Sequence, residues 1–371
     1  MWLEKIRFEG IRNLKDAEIV FSPYANCLFG ANGAGKTSIL ESIHYLAVAR
    51  SFRTYHDSEI LKFNAEYFKI TGLARLSPND PQFDPSTTFS AEIRYSAQGK
   101  IAYRQNQKQD KLSSYLGWLP VVTILLSDID LVAGSPHIRR NFLDLAISKV
   151  NKNYLQNLIE YRRILAQRNK LLQEKASSIH YEVWESALAK YADLILQVRE
   201  QVIPQLLNSA QKFLAFFLPH RNISFDYQTT IPQHSSRQAQ IQDMLSANRV
   251  REQELGYTTI GPHRDDIVIK EANLSVRKFA SEGEMRLTAL SLKLAEAELL
   301  KNNYQTPIFL LDEVASELDN INTKKLLELI CQQGQFFYAS AKELKDKIGL
   351  GQQGKIFYLE IGEIKKIEDI R

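Results

Sequence analysis

Residues 30–37 form a glycine-rich loop that constrains the fold of this chain more than any other stretch. Every fixed position of the pattern G-x-x-x-x-G-K-[ST] is filled there. An apolar run, residues 27–29, precedes the loop as a buried strand would, and apolar residues at helical spacing follow it. Strand, glycine loop and helix N-terminus together offer an anion free backbone N–H groups and the positive end of a helix dipole. We therefore predict phosphate contacts by the whole loop: Gly30, Ala31, Asn32, Gly33, Ala34, Gly35, Lys36 and Thr37.

The loop requires an acidic partner, and residues 307–313 supply one. Positions 307–311 are wholly apolar, which predicts a central strand of a parallel sheet, and the run ends in Asp312-Glu313. We predict that ATP and Mg²⁺ bind here, with Thr37 and Asp312 as metal ligands. Lys36 is expected to reach the β- and γ-phosphates, and Glu313 to polarise the attacking water. Glu313 and Lys36 are thus the predicted catalytic residues.

The amino-acid composition indicates a soluble globular protein but does not identify a binding partner. The 371 residues are 44% hydrophobic and 24% charged, as in an ordinary soluble protein. We find no apolar stretch long enough to cross a bilayer and no signal-peptide pattern at the N-terminus, so we expect a cytoplasmic protein with no membrane partner. The two cysteines suit a reducing compartment. A formal charge of +4 is too small to indicate nucleic-acid binding by itself.

The order of patterns along the chain predicts an α/β protein interrupted by helices. Strand patterns occur early, and residues 89–104 read as a hairpin. From about residue 141 to 217, apolar residues recur every three or four positions, which predicts several helices. Residues 233–251 read as a weaker helix or a mobile connection, and strand-like sequence returns at 257–269. We predict a first head segment over 1–145, a helical arm over 146–250 and a second head segment over 251–371.

A serine-glycine segment, residues 281–286, precedes the acidic strand by about 30 positions. Ser281 is a plausible helix N-cap, and Gly283 permits close approach of an anion. After the acidic strand comes Ser316-Glu317-Leu318-Asp319. This order looks like the ABC class of ATPases, in which the signature of one subunit closes over the γ-phosphate held by another. Ser281, Gly283 and Asp319 are therefore added to the predicted nucleotide-binding residues.

Other classes with the same loop fit less well. A GTPase should carry Asn/Thr-Lys-x-Asp, and residues 323–326 lack the aspartate. In the family of transporter ATPases, the serine-glycine signature follows the glycine-rich loop by about 100 residues. Gly283 lies 248 positions after Gly35, which resembles the heads of structural-maintenance-of-chromosomes proteins instead.

Several ordered runs make the resemblance more specific. They are Ile11-Arg12-Asn13-Leu14, Gly30 to Glu41, Ser51-Phe52-Arg53-Thr54, Leu131 to Asp144 and Gly261-Pro262-His263-Arg264-Asp265-Asp266. Over essentially its whole length the chain resembles the RecF family of bacterial DNA replication and repair ATPases. The resemblance implies an ABC-type P-loop ATPase head interrupted by a helical arm domain.

The resemblance also implies an activity and partners. It implies an ATP-dependent homodimer that acts as a switchable clamp on single-stranded, gapped or junction DNA and hydrolyses ATP slowly. Partners would be RecO and RecR, with recombinase loading and SOS induction as the outcome. Basic residues offer candidate DNA contacts at Arg53, Arg139 and Arg140. Arg162, Arg163, Arg168 and Lys170 would extend this basic face, although such a run is also typical of a solvated helix face.

The chain departs from the family pattern at the signature and beyond. Glu282 and Glu284 flank Gly283 where glutamine is usual, and Ala339-Ser340 stands where ABC enzymes often have a switch histidine. Asp128 or Asp130 is a candidate for the Q-loop position. Two alternatives stay open: an ATPase head that serves a nuclease complex, and a transporter ATPase.

Overall fold

The computed structural model describes residues 1–77, 84, 86–232, 236–303, 306–314, 317–342 and 353–370. It divides into two units, one formed by Met1–Asp128 with Glu296–Arg371 and the other by Ile129–Ala295. The first unit is therefore built from both ends of the chain. The predicted assignment of 1–145 and 251–371 to a head and 146–250 to an arm stays a prediction.

The N-terminal part of the first unit is mostly strands. They are β1 (Trp2–Glu9), β2 (Ala17–Val20), β3 (Ala25–Phe29), β4 (Tyr67–Arg75), β5 (Thr88–Ser96), β6 (Gly99–Arg104), β7 (Gln107–Lys108) and β8 (Val121–Leu125). Helix α1 (Lys36–Val48) follows β3, and the short α2 (Leu112–Tyr115) precedes β8. The predicted hairpin is confirmed, since β5 and β6 pair antiparallel from Ser96 opposite Gly99.

The second unit is mainly helical. Its helices are α3 (Asp130–Ala133), α4 (Pro136–Val150), α5 (Lys152–Gln173), α6 (Glu182–Phe217), α7 (Arg237–Leu255) and α8 (Glu282–Asn302), the last of which ends in the first unit. Three short strands pair antiparallel: β9 (Ile223–Gln228), β10 (Asp266–Glu271) and β11 (Leu274–Ser275).

The predicted helices over 141–217 are confirmed in α4 to α6. Of the two alternatives for 233–251, the helix is right from residue 237 onward, and residues 233–235 lie outside the described part. The strand expected over 257–269 begins only at Asp266, because residues 261–265 form a turn. Strand β9 was not predicted.

The chain returns to the first unit with β12 (Ile308–Asp312), α9 (Asn320–Cys331), β13 (Phe336–Ser340), β14 (Gly354–Glu360) and β15 (Glu363–Ile370). These strands join β3 and β8 in a sheet of order β15-β14-β3-β13-β12-β8, in which all pairs except β14–β15 are parallel. The other six strands of the first unit form an antiparallel sheet of order β2-β1-β4-β5-β6-β7. Strands buried on both faces read as continuous apolar runs, which explains why β3 and β12 were predictable.

The core of the first unit joins both sheets through α1. Leu40, Ile43 and Leu46 of this helix are buried with Phe68 and Ile70 of β4 and with Leu310 of β12. This packing fixes the start of α1, and with it the glycine-rich loop, at the carboxyl end of the parallel sheet.

Candidate nucleotide-binding site

The glycine-rich loop connects β3 to α1 in a conformation that depends on its glycines. Gly35 is the N-cap residue of α1 with φ of 106°, a left-handed conformation that side chains rarely adopt. A Cβ atom on Gly30 would lie 2.3 Å from the carbonyl oxygen of Leu359. The loop therefore packs closely against the end of β14 and turns sharply into the helix, as an anion-binding loop requires.

Lys36 begins α1, and its side chain is buried inside the loop. Its Nζ atom donates to the carbonyl oxygens of Gly30 at 2.8 Å and Ala31 at 3.2 Å. It also lies 3.5 Å from a carboxylate oxygen of Glu313. The ammonium group is thus held among acceptors where phosphate oxygens are expected to bind.

Thr37 and Asp312 are brought together from positions far apart in the sequence. The Thr37 hydroxyl donates to Oδ1 of Asp312 at 3.0 Å. Burial raises the pKa of the Asp312 carboxyl above its ordinary value, although the Thr37 hydrogen bond acts in the opposite direction. Mg²⁺ prefers hard oxygen ligands and retains several waters, so one hydroxyl and one carboxylate fit its needs.

Glu313 follows β12 in a left-handed conformation with φ of 55°, which is uncommon for a residue other than glycine. Its backbone N–H donates to the Ala339 carbonyl at 2.9 Å, which fixes the turn to the end of β13. The turn brings the Glu313 carboxylate to Lys36. Strained backbone of this kind persists where surrounding contacts fix it, commonly at functional sites.

Two arginines reach the same site through Glu41 of α1. Arg12 donates to both carboxylate oxygens of the buried Glu41, at 2.8 and 2.9 Å, and Arg53 lies 3.5 Å from it. The Ser51 hydroxyl donates to the same carboxylate at 2.5 Å. Arg53, a predicted DNA contact, is therefore positioned beside the glycine-rich loop, with part of its charge balanced by Glu41.

Asn13 is a site residue for which sequence reasoning assigned no role. Its side-chain amide donates to the Gly33 carbonyl at 2.7 Å, and its Oδ1 accepts from the Ser38 hydroxyl at 3.2 Å. It thereby connects the loop to the first turn of α1. The available signal was the run Ile11-Arg12-Asn13-Leu14, which contributed to the family resemblance.

The space above the loop is a cavity of about 530 Å³ within the first unit. Its lining consists of Arg12, Asn13, Asn32, Gly33, Ala34, Gly35, Lys36, Thr37, Ser38, Arg53, Leu61 and Glu313. A cavity of this volume is of the size that small-molecule ligands occupy.

Ser281 and Gly283 lie in the second unit, at the start of α8. The Ser281 backbone N–H and hydroxyl donate to the Glu284 carboxylate at 2.8 and 3.0 Å, and the Glu284 N–H donates back to the hydroxyl at 3.3 Å. This is a capping box. Glu284 also pairs with Arg221, and Glu282 pairs with Arg286 at 2.5 Å. Both unusual glutamates are thus neutralised within the unit.

Asp319, the other predicted nucleotide contact beyond the acidic strand, caps α9. Its carboxylate accepts from the Asn322 backbone N–H at 2.8 Å, and this hydrogen bond lowers the pKa of Asp319. The preceding Ser316 lies outside the described residues. Asp128 accepts from the Leu125 N–H at 2.7 Å, at the end of β8.

Arg139 and Arg140, two predicted DNA contacts, differ in their surroundings. The Arg139 guanidinium is buried, donates to both oxygens of Asp266 at 2.7 and 2.9 Å, and also binds the Gly134 carbonyl. This favours a structural role for Arg139. Arg140 is half-buried and donates to the Asp265 carbonyl at 2.9 Å. A contact with DNA stays a prediction for both residues.

Other kinds of site and segment are not found in the described part of the chain. Within these residues, no group of three or more His, Cys, Asp and Glu side chains is arranged to hold a metal ion. No described helix combines the length and apolar character that a membrane span requires.

The chain is similar to known proteins over nearly all of its length. The family model described as the RecF/RecN/SMC N terminal domain matches residues 2–347. The DNA replication and repair protein RecF of Latilactobacillus sakei is 36% identical over 350 residues, covering 91% of each chain. The protein of the same name from Streptococcus gordonii is 34% identical over 371 residues, covering 98% of this chain and all of the relative.

Solved structures agree with the sequence relatives. A structure of the recombination mediator protein RecF with ATP matches with a TM-score of 0.87 and 29% identity, covering 100% of this chain and 98% of that one. An Smc head domain from Pyrococcus furiosus matches with a TM-score of 0.56 at 18% identity, which shows the fold alone. The predicted α/β fold, an ABC-type P-loop ATPase head interrupted by a helical arm domain, is confirmed. The chain belongs to the RecF family of DNA replication and repair proteins.

Proposed function

We propose that this protein is a slow, DNA-dependent ATPase of recombinational repair and replication-fork maintenance, which dimerises with ATP and clamps DNA. The observation that carries the proposal is the cavity over the glycine-rich loop, where Lys36, the Thr37–Asp312 pair and Glu313 meet. A RecF relative with 29% identity has been solved with ATP, which supports ATP as the nucleotide. Family membership supports DNA as the partner.

The residues at this site have separate proposed roles in binding and hydrolysing a triphosphate. Backbone N–H groups of the loop would face the phosphates at the N-terminus of α1, where the helix dipole favours negative charge. The Ala34 N–H would have to leave the Ala31 carbonyl, to which it donates at 3.1 Å. Lys36 exchanges the Gly30 and Ala31 carbonyls for the β- and γ-phosphate oxygens. Thr37 and Asp312 would hold Mg²⁺, which neutralises the phosphate charge when bound. Glu313 then orients the attacking water and accepts its proton.

Closure of two copies would complete the site. In the proposed dimer, Ser281 and Gly283 of one copy contact the γ-phosphate held by the other, and Asp319 lies beside them. Glu282 and Glu284 do not repel that phosphate because Arg286 and Arg221 balance their charges. Hydrolysis then opens the dimer, so ATP acts as a switch.

Family membership also supports a proposal about partners and location. The ATP-bound RecF relative is a recombination mediator protein of the RecFOR pathway. We propose RecO and RecR as partners of this chain, recombinase loading and SOS induction as its outcome, and the cytoplasm as its location.

The test compares ATP binding by the wild-type protein, Lys36→Met and the control Lys15→Met. Lys15 is an exposed lysine of the same unit that pairs with Glu363 and does not line the cavity. Lys36→Met should weaken ATP binding about ten- to a hundredfold, the loss typical of a hydrogen bond to a charged group, and should abolish ATP-dependent DNA binding. Lys15→Met should bind ATP as the wild type does. Unchanged ATP affinity in Lys36→Met would place the nucleotide elsewhere.

A further inference from the structure

A second cavity, of about 340 Å³, lies within the second unit. Helices α4, α5 and α6 and the turn at residues 261–265 form its walls. Arg140, Arg162 and Arg199 line it together with the carboxylate of Asp144. Part of the wall is apolar, formed by Leu158, Leu165 and Pro262. These residues are separate from those that line the nucleotide site.

A buried ion-pair network forms the inner end of this cavity. Arg199 is fully buried and donates to Asp144 at 2.8 Å, to Asp265 at 2.6 Å and to the Tyr154 hydroxyl at 3.0 Å. Asp144 also accepts from the Tyr154 hydroxyl at 2.6 Å. Among the described residues of the lining, Asp144 is the only carboxylate, and its neutralisation leaves little repulsion for an incoming anion.

His263 forms a neutral part of the wall. Its Nε2 atom lies 3.0 Å from the Thr258 carbonyl, which can only accept, so this nitrogen carries the proton. The other nitrogen, Nδ1, then accepts from the Tyr161 hydroxyl at 2.6 Å. Burial, together with the nearby charge of Arg264, lowers the pKa of His263 to about 4, although the hydrogen bond to Thr258 acts in the opposite direction. The imidazole ring of His263 is therefore neutral near pH 7, and its two hydrogen bonds hold it in place.

At the outer end of the cavity, two arginines have guanidinium N–H groups that donate to no described residue. Arg140 uses Nη1 for the Asp265 carbonyl, and its Nε and Nη2 bind no described residue. Arg162 uses Nη2 for Asp144 at 2.8 Å, and its Nε and Nη1 bind no described residue either. Burial lowers the pKa of Arg140, as do the charges of Arg264 and Arg199. An anion at this position would relieve that repulsion.

We propose that this cavity binds one phosphate group of a DNA strand, with Arg140 and Arg162 as its ligands. The guanidinium fork matches phosphate geometry and carries a permanent charge. The cavity exceeds the size of a phosphate ion, and its apolar wall suits the attached sugar. The assignment rests on the DNA-binding function proposed above and adds a defined site to it.

The experiment measures binding of a fluorescent duplex by anisotropy, with ATP, over a salt series. The variants are Arg140→Gln and Arg162→Gln, and the control is Arg251→Gln. Arg251 is an exposed arginine of α7 in the same unit and does not line the cavity. Thermal unfolding checks the fold of each variant. Since Arg162 is more than half exposed, its replacement leaves the core intact.

Each cavity variant should weaken DNA binding roughly tenfold, the loss of one charge-assisted hydrogen bond. Each should also reduce the log–log salt slope relative to the control, by at most about 0.9, the contribution of the one phosphate that the two arginines share. If both variants match Arg251→Gln while the wild type binds DNA, the cavity assignment is overturned and the proposed function survives. If the wild-type protein binds no DNA with or without ATP, both proposals fail together.

A second measurement separates DNA phosphate from a free anion. Inorganic phosphate is titrated while the histidine ring resonances are followed by NMR, because an anion beside His263 should raise its pKa. DNA should shift the His263 resonance in the wild type, and Arg140→Gln should need roughly tenfold more DNA for the same shift. A shift with inorganic phosphate that DNA neither reproduces nor competes with would identify a free-anion site and overturn the assignment to DNA.

Discussion

Lys36 donates its hydrogen bonds to carbonyl groups of its own loop and lies beside Glu313. A triphosphate bound as proposed would replace these interactions, because its oxygens would compete for the same ammonium protons. Glu313 would then leave Lys36 and be able to act on water. On this proposal, the ion pair with Lys36 holds the Glu313 carboxylate until nucleotide binds.

Replacing Glu313 with Gln should separate binding from hydrolysis. The amide retains the shape of the carboxylate but cannot accept a proton, so ATP should bind with wild-type affinity while turnover falls by about 10²–10⁴-fold, the usual contribution of a general base. Sedimentation with ATP should show the dimer accumulating. Hydrolysis at the wild-type rate would contradict the assignment of Glu313 as the base.

His263 should make stability depend on pH in a defined window. Its pKa is about 4 when folded, against an ordinary value near 6.5, so the unfolded chain takes up a proton that the folded chain does not. Stability should therefore be fully present above about pH 6.5 and decline as the pH falls towards 4.

The variant His263→Gln isolates this contribution from the carboxylates that titrate nearby. Urea midpoints measured across the window should decline less steeply for the variant than for the wild type. Parallel curves would show that His263 is protonated equally in both states.

At the scale of single elements, the start of α8 tests the proposed dimer. A Cβ atom on Gly283 would have no atom within 4 Å, so nothing in the described residues requires glycine there. Gly283→Ala should leave thermal stability unchanged or raise it by up to about 1 kcal/mol through helix propensity. It should nonetheless weaken ATP-dependent dimerisation, because the partner's phosphate needs the space.

Sedimentation of Gly283→Ala with ATP tests whether Gly283 takes part in dimerisation. The matched control is Glu282→Ala, on the same turn of the helix. If Gly283→Ala dimerises like the wild type, the serine-glycine segment is a helix start and no more.

The helices of the second unit are joined by a buried ion network. Arg168 of α5 is wholly buried and donates to Glu185 of α6 at 2.9 Å and to Glu252 of α7 at 2.6 Å. Removing one partner of such a network leaves an uncompensated charge. Arg168→Met should therefore cost about 3–5 kcal/mol of unfolding free energy.

The control for Arg168 lies on the same helix. Lys170 is exposed and pairs only weakly with Glu174, so Lys170→Met should change stability by less than about 0.5 kcal/mol. Urea unfolding of both variants gives the comparison. An equal, small loss in each would mean that the network contributes little.

The same network shows where sequence reasoning ends. Strand β12 and helix α1 were predictable because the apolar run and the glycine pattern are local. Arg168 was grouped with surface residues, since its partner Glu252 lies 84 positions away, and Arg139 has its partner Asp266 at 127 positions. Charge alone does not reveal such partners. Thr37 and Asp312, 275 positions apart, were matched because the chemistry of a triphosphate requires both.

For the whole molecule, charge is nearly balanced: 47 Lys and Arg residues stand against 43 Asp and Glu residues. Tight DNA binding thus requires basic groups gathered on one surface, and two copies together double that surface. We expect stronger binding with ATP and a steeper log–log salt slope, with each neutralised phosphate of a duplex contributing about −0.9. Titrations of one duplex across salt concentrations, with and without ATP, test this. Equal affinity in both states would exclude an ATP-switched clamp.

The first unit is assembled from both ends of the chain, and this affects how the protein is made. Strand β3 finds its neighbours only when β13 and β14 emerge, with Ala25 pairing to Phe336. A ribosome adds about 5–20 residues per second, so β3 waits on the order of 15–60 s for its sheet. Meanwhile the continuous second unit has been synthesised in full. The nascent chain therefore carries an apolar strand with unpaired edges through most of translation, and the nucleotide site is among the last parts to form.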